Sequence, residues 1–124
     1  MPRFAANLTT LFNEVPFLDR FERAARAGFD AVEFLFPYPF KPEEIRDRLD
    51  AHRLEPVLHN LQPGDWEGGE RGLACHPDRR AEFRDSVALG IDYATRLGVP
   101  QLNCLAGTTP AGAARELLRS TYVE

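Results

Sequence analysis

The chain has 124 residues, enough for one domain with one core. Its 44 % hydrophobic and 27 % charged residues are the balance of an ordinary soluble protein, and a net charge of −4 argues against a nucleic-acid surface, which needs a basic patch. No apolar run approaches the roughly 20 residues that cross a bilayer, and Met1-Pro2-Arg3-Phe4 lacks the apolar stretch of a signal peptide, so a cytoplasmic setting is expected.

Taken in chain order, short apolar runs alternate with amphipathic stretches. Phe4–Leu8 reads as a strand. Pro16 opens a helix where its missing N–H does no harm. In that helix Phe17, Leu18, Phe21, Ala24 and Ala25 share one face, and Gly28 ends it as a left-handed cap. Ala31–Leu35 is the second strand, broken by Pro37 and Pro39. Pro42-Glu43-Glu44 starts the next helix with acids where the helix dipole favours them, and Ile45 and Leu49 mark its buried stripe. Pro56–Leu61 is the third strand.

Residues 62–76, QPGDWEGGERGLACH, carry glycines and no sustained periodicity. A loop this long in a compact α/β unit is expected to be a lid or binding loop over a site. Pro77-Asp78 opens the longest helix, with Phe83, Val87, Ile91, Ala94 and Leu97 expected inward, closed by Gly98 and Pro100. Gln101–Leu105 is the fourth strand, and Pro110 begins a last helix through Leu117, Leu118 and Tyr122. That helix has no stop signal at Glu124, which predicts a chain cut short there; a frayed natural end is the alternative.

Strand–helix alternation repeated four times predicts a parallel sheet of right-handed βαβ units. The units echo one another: Gly28 precedes Glu33, Leu54 precedes His59 and Gly98 precedes Asn103 by the same five residues. Four units are half of an eight-fold barrel, which needs about 250 residues. A doubly wound four-stranded sheet is the competing architecture. No G-x-G-x-x-G follows the first strand, so nothing points to a dinucleotide.

In parallel α/β folds the site forms beyond the carboxyl ends of the strands. Asn7, Glu33, His59 with Asn60, and Asn103 gather there. Glu33 is either a pocket residue or a structural acid bonded to an Arg, Lys or backbone amide. The five-residue echo aims His59 into the barrel beside Glu33, but a slipped register gives that place to Asn60. Arg71, in the long loop, could clamp a substrate carboxylate with two prongs, or stand as a solvated loop arginine; Trp66 offers a flat apolar cover. No HxH, HExxH or clustered Asp/His spacing suggests a metal site, no GxSxG suggests a serine nucleophile, and the spacing of Cys75 and Cys104 fits two free thiols.

The run NLTTLFNEVPFLDRFERAARAGFDAVEFLFPY, followed by PGDWEGGERGL and later LAG-x-x-P, resembles hydroxypyruvate isomerases and the related 2-oxo-tetronate isomerases, among the xylose-isomerase-like barrels. The likeness runs from Arg3 to Glu124. It implies an α/β fold made of the first four βα units of a (β/α)₈ TIM barrel, residues 1–124 being its amino-terminal half and 62–76 its covering loop. It implies interconversion of hydroxypyruvate and tartronate semialdehyde by proton transfer between adjacent carbons, with a four-carbon 2-oxo-tetronate as the alternative substrate. Asn7, Glu33 and Asn60 match family positions at the pocket mouth and are expected to bind substrate; the family pattern is not fixed at His59 or Arg71, and Arg71 joins the expected substrate-binding residues on its charge and place in the loop alone. The family's acid–base residues and divalent Mg or Mn belong to strands five to eight, so no catalytic or metal-binding residue is expected in this chain, which alone should be inactive. The expected partner is a small hydroxy-carbonyl acid, not nucleic acid or membrane. A non-catalytic half-barrel that self-associates through exposed strand edges, or pairs with a separate second half, is the rival reading.

Overall fold

The computed structural model describes residues 1–124. Its elements run β1 (Ala5–Asn7), α1 (Phe17–Arg26), β2 (Ala31–Phe34), α2 (Pro42–His52), β3 (Glu55–Asn60), α3 (Arg80–Leu97), β4 (Leu102–Asn103) and α4 (Arg115–Val123), with a 3₁₀ turn at Pro77–Arg79 before α3. The four strands are parallel and lie in chain order. A doubly wound sheet needs an order that reverses at a switch point; the sequential order is that of a barrel wall, and the doubly wound alternative falls. No helix is long and apolar enough to cross a membrane.

Each connection has a local cause. Pro16 precedes the first turn of α1, and Gly28 takes φ +88° beyond its end. In α2 Pro42 fills the first helical position while the Glu44 carboxylate accepts the Lys41 N–H. Gly98 closes α3 in the left-handed conformation. The core lies between helices and sheet. Phe21 of α1, Phe34 of β2, Ile45 and Leu49 of α2 and Leu97 of α3 are each 0–1 % exposed. Phe17, Phe21 and Phe34 meet edge-on or tilted, with ring centroids 5.3–6.0 Å apart.

Two helical faces differ from those expected. In α3 the buried residues are Ser86, Gly90, Tyr93 and Leu97, while Ile91 is 54 % exposed. The cause is close approach: a Cβ on Gly90 would stand 2.4 Å from Leu61 Cδ2, so the helix meets that residue through Gly90, with Tyr93 and Leu97 on the same buried face and Ile91 turned outward. Phe83 and Val87 line an outer cleft toward Thr121 and Tyr122 of α4 instead. In α4, which begins at Arg115 and not at Pro110, Leu118 and Thr121 are buried and Leu117 and Tyr122 are about half exposed.

The polar positions of β3 follow from an irregularity in pairing. Val32 pairs with Pro56 but Glu33 with Leu58, so β3 carries one extra residue at that point. The five-residue echo therefore slips. Asn60 shares the inner face with Glu33 and Leu58, and His59 turns into the layer between sheet and helices. There its ring stacks on Phe34 and is fully buried.

Candidate functional site

β1 ends at Asn7, whose backbone and side chain are both held. Its carbonyl accepts the Leu11 N–H at 2.9 Å and its Oδ1 accepts the Thr9 N–H at 3.0 Å. That leaves the Asn7 Nδ2 to donate to Glu33 Oε1 at 2.9 Å. The partner of Glu33 is thus an amide, not an arginine or lysine. An amide donor orients the carboxylate without neutralising it.

Asn60 stands one layer further along. Asn103 Nδ2 donates to its Oδ1 at 3.2 Å, while the Asn60 Nδ2 is buried without a partner. A buried, unpartnered amide donor costs free energy and marks a position where a hydrogen-bond acceptor is missing. Its backbone is clamped from behind: Tyr38 Oη donates to the Asn60 carbonyl at 2.6 Å, and His59 Nδ1 lies 3.1 Å from the same oxygen. Burial pushes the His59 pKa down, against the opposing pull of that carbonyl, and keeps the ring neutral. With Nδ1 protonated toward the carbonyl, Nε2 is a lone pair without a donor. Burial likewise drives the Tyr38 phenol upward, so it serves as a fixed donor. Tyr93 Oη reaches across from α3 to the Phe40 carbonyl at 2.8 Å, which fixes the β2–α2 loop that carries Tyr38.

The covering loop supplies the remaining wall. Trp66 packs edge-on against Phe36, and the Arg71 guanidinium lies 3.9 Å above the Trp66 ring. The loop is stitched to the segment after β4. Gly72 bridges Ala106, and the Cys75 N–H donates to the Ala106 carbonyl at 2.8 Å. Two glycines permit this approach. Gly72 has φ +120°, and a Cβ there would stand 2.1 Å from the Leu105 carbonyl oxygen; a Cβ on Gly107, φ +108°, would press on the His76 ring.

Asn7, Glu33, Asn60 and Arg71 all line one recess of about 300 Å³ beyond the strand ends, together with Leu58, Trp66, Asn103 and Leu105. One carboxylate, three amides and an exposed guanidinium over an indole can grip an anionic head and hydrogen-bond neighbouring oxygens. The set does not fit a resident divalent cation. Glu33 is the sole carboxylate among the lining residues, and no group of three His, Cys, Asp or Glu comes together anywhere in the chain. His59 is absent from the recess. Tyr38 and the stitching role of Gly107 were missed by sequence reasoning. Tyr38 sits between Pro37 and Pro39, outside any periodic pattern, and only its neighbours in space reveal what its hydroxyl does. Cys75 is buried and Cys104 half-buried; both are free.

Residues 21–124 match the family model described as "Xylose isomerase-like TIM barrel". The chain is 54 % identical over all its 124 residues to the hydroxypyruvate isomerase of Escherichia coli, covering 48 % of that protein. It is 52 % identical to the 2-oxo-tetronate isomerase of Cupriavidus necator, again over its whole length and 48 % of the relative's. Among solved structures, a family 2 AP endonuclease from Brucella melitensis superposes with a TM-score of 0.95 at 50 % identity, over 99 % of this chain and 47 % of that one. A xylose isomerase domain protein from Planctomyces limnophilus, at 14 % identity and a TM-score of 0.60, shares the fold. The chain spans about half the length of the curated relatives it matches.

Proposed function

The chain belongs to the xylose isomerase-like TIM barrel family, and on that premise we propose that it is the amino-terminal wall of an isomerase acting on hydroxypyruvate. In this reading a proton moves between adjacent carbons, converting the ketone of hydroxypyruvate to the aldehyde of tartronate semialdehyde through an ene-diolate. Arg71 takes the substrate carboxylate, and Asn60 Nδ2 donates to a carbonyl or hydroxyl oxygen. Glu33, oriented by Asn7, accepts from a substrate hydroxyl. Trp66 and the rest of the covering loop keep water from the ene-diolate. Such a path also needs a base of tuned pKa and electrophilic help for the oxyanion. The residues present do not fit the divalent Mg or Mn that the family resemblance implies. The acid–base pair and metal ligands are assigned to further βα units of the family barrel.

One observation carries this reading. A guanidinium, a carboxylate and amides converge in a single recess, in a chain matched from end to end by isomerases named for small hydroxy-carbonyl acids. A four-carbon 2-oxo-tetronate is the alternative substrate, since the same groups serve it. Nucleic acid is not a proposed partner, because a chain at −4 would repel phosphates. Two free cysteines suit a reducing compartment such as the cytoplasm. A half-barrel that pairs with itself is the second reading, favoured by the single strand neighbour of β1 and of β4.

The purified chain, given hydroxypyruvate with Mg²⁺ or Mn²⁺, is expected to show no turnover above background. Hydroxypyruvate should nonetheless change Trp66 fluorescence saturably, and the neutral triose dihydroxyacetone should not. Turnover by the chain alone would contradict the division of roles; no response to hydroxypyruvate would contradict the binding assignment.

A further inference from the structure

We propose that Arg79 is a positioning residue whose grip on Glu70 sets the Arg71 guanidinium over Trp66, and so determines preference for acidic over neutral substrates. The inference rests on the proposed contact of Arg71 with a substrate carboxylate. Arg79 lies outside the recess, at the foot of α3, and the reaction as described leaves it unused.

Glu70 and Arg71 are chain neighbours with opposite tasks. The Glu70 carboxylate folds beneath the loop, where its Oε2 accepts the Asp65 N–H. It fills the space a side chain at position 64 would need, since a Cβ on Gly64 would stand 2.1 Å from Oε2. The Glu70 N–H in turn donates to the Asp65 carbonyl at 2.9 Å, and the Gly68 N–H to Asp65 Oδ1 at 2.8 Å. Residues 65–70 thus close into one compact turn with the Glu70 carboxylate as its inner post.

Arg79 ties that post to the helix. Its Nη1 and Nη2 reach the two Glu70 oxygens, while Nε and Nη2 reach Glu82, both at 2.8 Å. A guanidinium shared between two carboxylates is a planar fork with little freedom to turn. The side chains of Glu70 and Arg79 are only about a third exposed, less than in the ion pairs elsewhere on the surface, such as Arg3–Glu55 and Arg80–Glu124. The side-chain bonds from Arg79, ahead of the Asp65 N–H, hold the Glu70 carboxyl below the usual carboxylate range.

Arg71 depends on the same turn. Its Nη1 donates to the carbonyls of Trp66, at 2.9 Å, and Glu70, at 2.6 Å, so its position follows the turn's backbone. Release of Glu70 frees both carbonyls and the indole beneath the guanidinium.

Trp66 is the sole tryptophan, so its fluorescence reports this turn alone. In the 124-residue chain, Arg79→Gln is expected to shift Trp66 emission to the red and raise its quenching by acrylamide about twofold, with far-ultraviolet circular dichroism unchanged. The Kd for hydroxypyruvate should rise about tenfold, the scale of one charge-assisted hydrogen bond, and Arg79→Lys should restore part of both effects. Unchanged quenching in a folded Arg79→Gln chain overturns the proposal. If that variant does not fold, Glu70→Gln decides, because it keeps the Arg79–Glu82 pair: a folded chain with a freed Trp66 supports the latch, and an unfolded one shows the pair to be structural and overturns it. A freed Trp66 with hydroxypyruvate binding intact keeps the latch on the turn but overturns its control of the preference for acidic substrates, and removes Arg71 from carboxylate recognition. A wild-type chain blind to hydroxypyruvate sinks the proposed function, while quenching still decides the latch.

Discussion

Replacing Phe34 by alanine is expected to cost about 3–5 kcal/mol, the usual range for emptying a buried aromatic site. The side chain is 1 % exposed and touches three rings: Phe17 at 5.7 Å, Phe21 at 6.0 Å and His59 at 6.3 Å between centroids. Phe17 and Phe21 reach it from α1, and His59 from β3, so the cavity opens where helix layer and sheet are joined. The neighbours have little room to collapse, because β2 is paired on both sides. A domain of this size has about 5–15 kcal/mol in total. At about 4 °C per kcal/mol, the transition should fall by roughly 12–20 °C in a calorimetric or circular-dichroism melt. A fall of a few degrees would show that Phe34 is not at the centre of the core. Phe34→Leu, which refills most of the volume, should recover the larger part.

The second large effect is expected at Gly72. Alanine there meets two penalties together: a φ of +120° that side-chain-bearing residues rarely adopt, and a Cβ 2.1 Å from the Leu105 carbonyl oxygen. Backbone strain of this kind costs about 1–3 kcal/mol, and the overlap with a backbone atom cannot be relieved by a rotamer change. The loop must separate from the segment after β4, losing the Gly72–Ala106 bridge and exposing the Cys75 N–H that Ala106 satisfies. Gly72→Ala should therefore leave helix content near native while the loop amides between residues 62 and 76 exchange hydrogen at least about tenfold faster. Gly69→Ala is the control, since its position is open and carries only the φ penalty, at +97°. Equal exchange in the two variants would mean that the stitch to Ala106 does not hold the loop.

Much of the fold is legible in the sequence because its signals are local. Pro16, Pro42, Gly28 and Gly98 punctuate helices by their own conformational limits, and the alternation of strand and helix leads directly to a parallel sheet. What escapes is whatever depends on closeness in space. The buried face of α3 runs through Ser86 and Gly90, residues that hydrophobicity ranks below Val87 and Ile91. At Gly90 the cause is Leu61, which leaves no room for a side chain. The register of β3 is another case, since one extra residue opposite the Val32/Glu33 step exchanges His59 for Asn60. A period-two pattern cannot show such a bulge.

The site divides the same way. Asn7, Glu33 and Asn60 are visible as polar residues at the ends of apolar strands, and the structure gathers them with Arg71 in one recess. The clamp of Tyr38 on the Asn60 carbonyl and the fork of Arg79 on Glu70 leave no periodic trace, because each joins residues on different elements. The 63–73 and 105–110 motifs that carry the family resemblance owe two of their glycines to a single physical event, the meeting of the covering loop with the segment after β4.

The proposed division of labour, in which this chain binds the acid and further βα units supply the proton chemistry, is tested most directly by a hybrid barrel. Residues 1–124 would be joined in frame to the carboxyl-terminal portion of the Escherichia coli hydroxypyruvate isomerase, beyond the part this chain matches. A hybrid that interconverts hydroxypyruvate and tartronate semialdehyde within about tenfold of the parent kcat/KM, and loses that activity on Arg71→Ala, is the result the account predicts. A hybrid that unfolds cooperatively as a single barrel yet converts neither hydroxypyruvate nor 2-oxo-tetronate would contradict it.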